Sequence, residues 1–279
     1  MPLWSSPSSS AWQEGPTIAE KIRIQKLLSA AGVASRRGVE QLVLEGRITV
    51  NGKPVSEIPC FVDADADRIC VDGRRVRTRD ERRKVYFLLN KPRGVVCTQS
   101  DPQGRPKAVD LVPPVGRRVY CVGRLDVASS GLILLTNDGE LTQYLTHPRH
   151  GVAKTYEVQV DGRLTGEQIA RLKRGVYLDG RRLAPAAIKV LRKAPERSLL
   201  EITLTEGRNR EIRRILARLG HKVRRLKRTA IGPVRQRGLK PGSFRELTAR
   251  ELTQLRRCGA APHTSKQQPR QGKRRKAGQ

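Results

Sequence analysis

The stretch 119-VYCVGRLDVASSGLILLTNDGE-140 decides how the larger part of this chain is read. Two runs rich in β-branched and aliphatic residues, VYCV and LILL, flank a loop that holds Gly123, Arg124, Asp126 and a Ser-Ser-Gly turn. Asn137-Asp138-Gly139 then closes the second run and opens a helical stretch, ELTQYLTH. Loops between buried strands are where a scaffold presents reactive groups. Asp126 is the one carboxylate of that loop, in a chain with 57 Lys+Arg against 26 Asp+Glu. Its side chain has two readings: an Asx-type turn that satisfies local amides, or a catalytic group. Neighbouring arginines favour the charged form, so a catalytic Asp126 is a nucleophile or base rather than a general acid. One carboxylate is too few for glycoside hydrolysis, which uses a pair, and for a two-metal nuclease, which needs several.

Outward from this loop the chain continues in short strands. VYFLLNK (85–91), KTYEVQV (154–160) and LLEITLT (199–205) join VYCVG (119–123) and GLILLTN (131–137), each bounded by Gly, Pro, Asn or Asp. GEQIARLKRGV (166–176) and NREIRRILARLG (209–220) read as helices. Strands with few helices and no regular βαβ alternation predict an α+β unit over 84–257, with a mixed and mostly antiparallel sheet. In the second helix Ile212, Ile215, Leu216 and Leu219 form a core stripe, and Gly220 ends it. Arg210, Arg214 and Arg218 line the opposite ridge. Arg213 falls beside Leu216 at the rim of the core, where a guanidinium needs a carboxylate or phosphate partner. Residues 207–228 carry ten Lys/Arg and one acid, Glu211. Such a flank tracks a nucleic-acid backbone, with Arg208, Arg210 and Arg214 as candidate contacts. Tyr156 shares a strand face with Val158 and Val160. It is either core or a ring set against an extruded base.

A smaller unit is expected over 21–80. Ile24, Leu27, Leu28 and Ala31 make one helical face ending at Gly32, and Ser35 caps a second helix with Val39, Leu42 and Val43 inward. Ile48-Thr49-Val50, Asn51-Gly52 and Lys53-Pro54-Val55 then spell a hairpin with a type I′ turn. Arg36 and Arg37 occupy the first turn of the second helix, where each opposes the helix dipole by about 0.3–1 kcal/mol. An external phosphate would compensate; a merely solvated face is the alternative. This stretch resembles the small RNA-binding domain shared by a small-subunit ribosomal protein, tyrosyl-tRNA synthetase and several RNA-modifying enzymes. The resemblance implies docking on RNA through both helices and the hairpin, with Arg23, Lys26, Ser35, Arg36, Arg37, Arg47, Asn51 and Lys53 as contacts.

Composition agrees with such a partner. A net charge of +31 points to a polyanion, and phosphate neutralisation gives tight, salt-dependent binding. A membrane partner is not expected, since no apolar run approaches a span. The five cysteines are scattered without a CxxC pair, which argues against zinc and disulfides and suits a reducing cytoplasm. The Ser/Pro-rich residues 1–20 read as a disordered tail without signal-peptide character. Residues 258–279, with six Lys/Arg and no acid, read as a flexible basic arm, and the charged run 74–84 as the joint between the units.

Several segments together resemble the RsuA/RluB-type pseudouridine synthases: YFLLNKPRGVVCT, VGRLDVASSGLILLTNDGEL, HPRHGVAKTYEVQVDG, LTEGRNREIRRILARLGHKVRRLKRTAIGPV and LKPGSFRELT. They run in order from about 22 to 256. The resemblance implies isomerisation of a uridine in ribosomal RNA, most similar to the large-subunit branch, with no cofactor and no metal. It makes Asp126 the catalytic aspartate, Tyr156 the active-site tyrosine, Arg213 the basic partner of the aspartate, and Arg124 a residue that helps hold the flipped nucleotide. Ser129 stands where relatives often carry threonine. A cytoplasmic monomer acting on ribosomal RNA or a subunit assembly intermediate is expected. A non-catalytic ribosome-assembly factor would share the charge and the small domain but not the catalytic constellation.

Overall fold

The computed structural model describes residues 21–77, 84–116 and 118–259. Contacts divide the chain after Arg83 into two units. The expected tail over 1–20, nearly all of the basic arm, and the centre of the charged joint lie outside the described residues.

The first unit contains β1 (Ile22–Arg23), α1 (Ile24–Ala30), α2 (Arg36–Leu44), β2 (Ile48–Val50), β3 (Lys53–Pro54), β4 (Phe61–Val62), β5 (Ile69–Val71) and β6 (Arg74–Arg75). A four-stranded sheet runs in the order β3-β2-β5-β6, and β1 pairs separately with β4. The helical spacing read from the sequence places Ile24, Leu27, Leu28, Val39 and Val43 in one core with Ile48, Val62 and Ile69. Ser35 Oγ accepts from the Gly38 amide at 2.9 Å, which satisfies one of the orphan donors at the start of α2. Asn51 and Gly52 both have positive φ, 52° and 82°, as a type I′ turn requires.

The second unit contains β7 (Tyr86–Lys91), β8 (Tyr120–Cys121), β9 (Ser130–Thr136), α3 (Gly139–Thr146), β10 (Lys154–Asp161), α4 (Gly166–Arg174), β11 (Val176–Leu178), β12 (Arg181–Leu183), β13 (Ala187–Lys193), β14 (Arg197–Leu204), α5 (Glu211–Arg218), β15 (Val223–Ile231), β16 (Val234–Arg235), β17 (Phe244–Glu246) and α6 (Ala249–Arg257). Nine strands form one sheet, in the order β13-β14-β10-β15-β9-β7-β17, with β16 on β15 and β8 on β9. The pairing of β9 with β15 is parallel, whereas the other ladders are antiparallel. The sheet is mixed and mostly antiparallel, and the chain is α+β.

Both faces of the sheet are covered. Phe87, Leu89, Ile133, Leu135, Val158 and Val160 pack with Leu172 of α4 and Ile212, Ile215 and Leu216 of α5. On the other face Leu88, Leu132 and Leu134 pack with Leu141 and Leu145 of α3 and Leu255 of α6. Burial on both sides explains why FLL and LILL are unbroken apolar runs rather than alternating ones. Each such side chain contributes about 1.5–3 kcal/mol by leaving water.

Several elements are absent from the sequence reading, among them β13 and α6, and two beside the cleft depart from it. The central strand β15, VRRLKRTAI, reads there as a basic flank because five of its nine residues are Lys, Arg or Thr. Its hydrogen-bond ladders to β10 and β9 stabilise it where its apolar content is low. The helix expected over 209–220 spans Glu211–Arg218, because Arg210 at its N-terminus takes a left-handed conformation, φ 48°.

At the parallel step the backbones of β9 and β15 nearly touch. A Cβ on Gly131, φ 107°, would lie 2.2 Å from the Arg228 carbonyl oxygen and 2.5 Å from its amide nitrogen. Neither backbone atom can swing aside. Gly131→Ala is expected to cost about 3 kcal/mol or more, from steric overlap plus the disfavoured φ. A denaturant titration showing an unchanged midpoint would overturn that assignment.

Candidate active site

The topology gathers one cleft. The 123–129 loop enters β9, and α5 leads through a short turn into β15, its parallel neighbour. On the other side of β15 lies β10, where Tyr156 sits opposite Arg228. A cleft of about 290 Å³ opens where these segments meet, and Arg124, Asp126, Tyr156, Arg210 and Arg228 are among its lining residues.

Asp126 is 28 % exposed, so a carboxylate oxygen is open to the cleft. Its Oδ2 lies 3.6 Å from Arg210 Nη1 and 4.0 Å from Arg213 Nε. These are ion-pair distances longer than a hydrogen bond. The local Asx role is filled instead by backbone, since the Ser129 amide donates to the Asp126 carbonyl oxygen at 2.9 Å. Arg213 is held by the protein. It donates from Nη1 to Val223 O at 3.1 Å, and from Nη2 to Ala128 O at 3.3 Å and to Ser129 Oγ at 3.4 Å. Its Nε is buried without a hydrogen bond, on the edge that lies near Asp126. Burial first, then Arg210, pulls the Arg213 guanidinium below its usual range, and Asp126 opposes that shift. Tyr156 is buried at 8 % exposure, yet it also lines the cleft. Core residue and cleft residue are therefore both true of it. Arg124 is exposed at the mouth.

The basic residues around the cleft divide by partner. Arg208 pairs through Nε with Glu206 at 3.0 Å, and its amide donates to Glu211 Oε2 at 3.0 Å. Arg214 is drawn away, donating to Asp179 at 2.5 Å. Glu206 and Glu211 line the cleft too, so Asp126 is not the sole carboxylate there. Both are bound to Arg208, and Asp126 alone is left without a hydrogen bond to its carboxylate among the described residues.

In the first unit the candidate contacts also separate. Arg36, Arg37, Lys26 and Lys53 are exposed and have no ion pair among the described residues. Arg23 lies over the Phe61 ring, 5.8 Å from its centroid. Arg47 forms a bidentate pair with Asp72, 2.7 Å on both arms, and a third contact to Glu45. The Asn51 amide is spent on Asp67 and on the Arg68 N–H, both at 2.8 Å, and Ser35 on its cap. Arg47, Asn51 and Ser35 thus each have a hydrogen-bond partner within the domain.

Two basic cleft residues, Lys154 and Arg228, and the acidic Glu206 escaped the sequence reading. Arg228 is 3 % exposed; its Nε donates to Leu132 O at 2.6 Å, and its Nη2 is buried with no partner. Lys154 donates to Val152 O at 3.0 Å, and burial followed by Arg228 brings its ammonium down to about 8. Position in KTYEV, two residues before Tyr156, was the available signal for Lys154. Arg228 was hidden among ten basic residues.

Comparison with known proteins identifies the family of both units. A family model described as RNA pseudouridylate synthase matches residues 85–218, and one described as S4 domain matches 22–57. An RNA pseudouridine synthase of Aquifex aeolicus is 44% identical over 237 residues, which is 84% of this chain and 94% of that protein. Ribosomal large subunit pseudouridine synthase B of Bacillus subtilis is 43% identical over 236 residues, covering 84% and 95%. The crystal structure of a pseudouridylate synthase superposes with a TM-score of 0.60 at 28% identity, covering 84% of this chain and 99% of that one. With the Asp126 cleft set in that fold and an S4 domain ahead of it, this chain belongs to the RNA pseudouridylate synthase family.

Proposed function

We propose that this protein isomerises a specific uridine of large-subunit ribosomal RNA to pseudouridine, with Asp126 as the nucleophile or base. The observation that carries the reading is an open Asp126 carboxylate, flanked by Arg210 and Arg213 and sharing a cleft with Tyr156. The large-subunit substrate is supported by the relative from Bacillus subtilis, whose name states it.

The reaction breaks the bond between ribose C1′ and uracil N1, turns the base, and rejoins it through C5. It moves no electrons to an acceptor and transfers no group to a second molecule. Three routes use the same Asp126 oxygen: capture of C1′, removal of the C2′ proton, or addition to the ring. Each needs an ionised carboxylate with a free lone pair. Arg213, fixed by three hydrogen bonds, turns its Nε toward the carboxylate, and Arg210 adds a second, more exposed cation. Tyr156 offers its ring to the extruded base, and Arg124 offers charge to the nucleotide's phosphate. Unstacking the base costs a few kcal/mol, which remote contacts to RNA offset. We assign those contacts to Arg36, Arg37, Lys26, Lys53 and Arg23 in the first unit and to Arg208 and Arg210 beside the cleft. Ribosomal RNA or a subunit assembly intermediate is the partner, and a cytoplasmic monomer is the acting form. Among the described residues no helix is long and apolar enough to cross a membrane. A purely RNA-binding assembly factor would share the S4 domain but would have no use for an open carboxylate between two arginines.

Asp126→Asn is expected to lower tritium release from carbon-five-labelled uridine RNA by at least about 10³-fold, with RNA affinity nearly intact. Substantial turnover by the purified variant would remove Asp126 from its role. In the first unit, Arg36→Ala with Arg37→Ala should weaken binding to the RNA and flatten its salt dependence, by roughly 0.7–0.9 per lost phosphate contact in the log–log slope. Arg47→Ala should change that slope less, because Asp72 and Glu45 already neutralise its charge. Binding isotherms at several salt concentrations separate the two, and equal slopes for both variants would refute the division.

A further inference from the structure

The cations of the cleft fall into two groups. Arg124, Arg208 and Arg210 are exposed and suit phosphates, which stay in water on the RNA backbone. Arg228 and Lys154 lie deeper, on adjacent strands, at the end of the cleft that Tyr156 also lines. Neither has a carboxylate partner among the described residues. Arg228 keeps Nη2 buried and unpartnered, at a cost that a protein carries without benefit unless a ligand completes the pair. A planar guanidinium presents donors to planar carbonyl oxygens, and a low-dielectric position makes its charge count for more.

We propose that Arg228 and Lys154 form the cationic seat for the uracil anion released when the C1′–N1 bond breaks. The bond's electron pair departs with the base and spreads over N1, O2 and O4. At the same time C1′ is captured by an Asp126 oxygen, or the C2′ proton passes to it. After the ring turns, C5 supplies the pair for the new bond to C1′. Asp126 is then released, or returns its proton to C2′, and the C5 proton is lost to solvent while N1 takes one up, so substrate and product remain isomers. Between those events the ring is free and negatively charged, and the two cations hold it while it rotates. Their donors can exchange partners as O2 and O4 trade places, which a fixed carboxylate could not offer.

This rests on the Asp126 cleft being the site of isomerisation. The groups surrounding Lys154 set its titration. Arg228 on β15 opposes its charge, and Arg124 in the loop and Arg208 and Arg210 ahead of α5 line the same cleft. The Cys258 thiol favours the charge, and Asp126, Glu206 and Glu211 line the same cleft. Burial prevails, and the ammonium of the free enzyme titrates at about 8. A lysine with a depressed value is charged below it and neutral above it. The profile of kcat/KM should therefore fall as pH rises through that region, since kcat/KM reports the free enzyme.

The test uses the full chain and an RNA containing the target uridine. Lys154→Met is expected to lower the single-turnover rate by about 10²-fold while RNA affinity stays near that of the wild type. Lys154→Arg should keep much of the rate and lose the fall between about pH 7 and 9. Asp126→Asn run alongside reports on the site itself. If that variant is inactive while a folded Lys154→Met turns over at the wild-type rate, the seat is wrong and the site stands. If Asp126→Asn is active, the site reading itself fails. Should Lys154→Met not fold, the wild-type profile decides: a kcat/KM that does not fall across that range overturns the proposal, as does a fall that persists in Lys154→Arg.

Discussion

Between Gly131 and Arg228 two backbones of a mostly antiparallel sheet run side by side in the same direction, closer than any side chain at 131 permits. A parallel pairing joins strands that both emerge from the same end of the sheet. Here that end receives the 123–129 loop on one strand and the α5 turn on the other. The carboxylate of Asp126 and the guanidinium of Arg213, 87 residues apart in sequence, meet for this reason. Antiparallel pairing of the same strands would send them to opposite edges. The glycine is thus a condition for the site as well as for the sheet.

The same step explains why Arg213 is rigid. Its hydrogen-bond acceptors are Val223 O, in the first residue of β15, and Ala128 O and Ser129 Oγ, just before β9. One guanidinium therefore ties together the starts of the two parallel strands. Two of its edges serve the fold, and the third, Nε, is left to Asp126. A residue used this way cannot be separated into structural and functional parts, because its orientation toward the carboxylate is set by the contacts that stabilise the strands.

Much of this was legible in the sequence where hydrophobic period and turn chemistry agree. The buried faces of α1, α2 and α5 follow from apolar spacing, and the positive φ values of Asn51 and Gly52 follow from the only turn that suits such a pair. Arg213 was placed at the core rim by helical phase alone, and its side chain is 13 % exposed. Strand β15 was illegible because pattern reading weighs side chains. This strand is held by backbone ladders on both sides, so arginine and lysine are tolerated where their heads can escape or find a carbonyl. Arg228 went unseen for that reason. The internal partners of Arg47 and Asn51 were hidden for another: Asp72 and Asp67 lie 25 and 16 residues away, and local pattern carries no information about such pairings.

Charge alone would make this cleft a poor place for a nucleophile. Five cations line it and Arg213 and Arg214 stand beside it, and a carboxylate clamped by any of them in a short bidentate pair would have no lone pair to spare. Glu206 and Glu211 take up Arg208, through its Nε and its backbone amide, and Asp179 takes up Arg214. Val223, Ala128 and Ser129 occupy both terminal nitrogens of Arg213, and Leu132 holds Arg228 through its Nε. What remains near Asp126 is attraction at 3.6 and 4.0 Å, too long to consume its oxygens. The openness of the Asp126 carboxylate thus depends on the other acceptors of the cleft as much as on the arginines themselves.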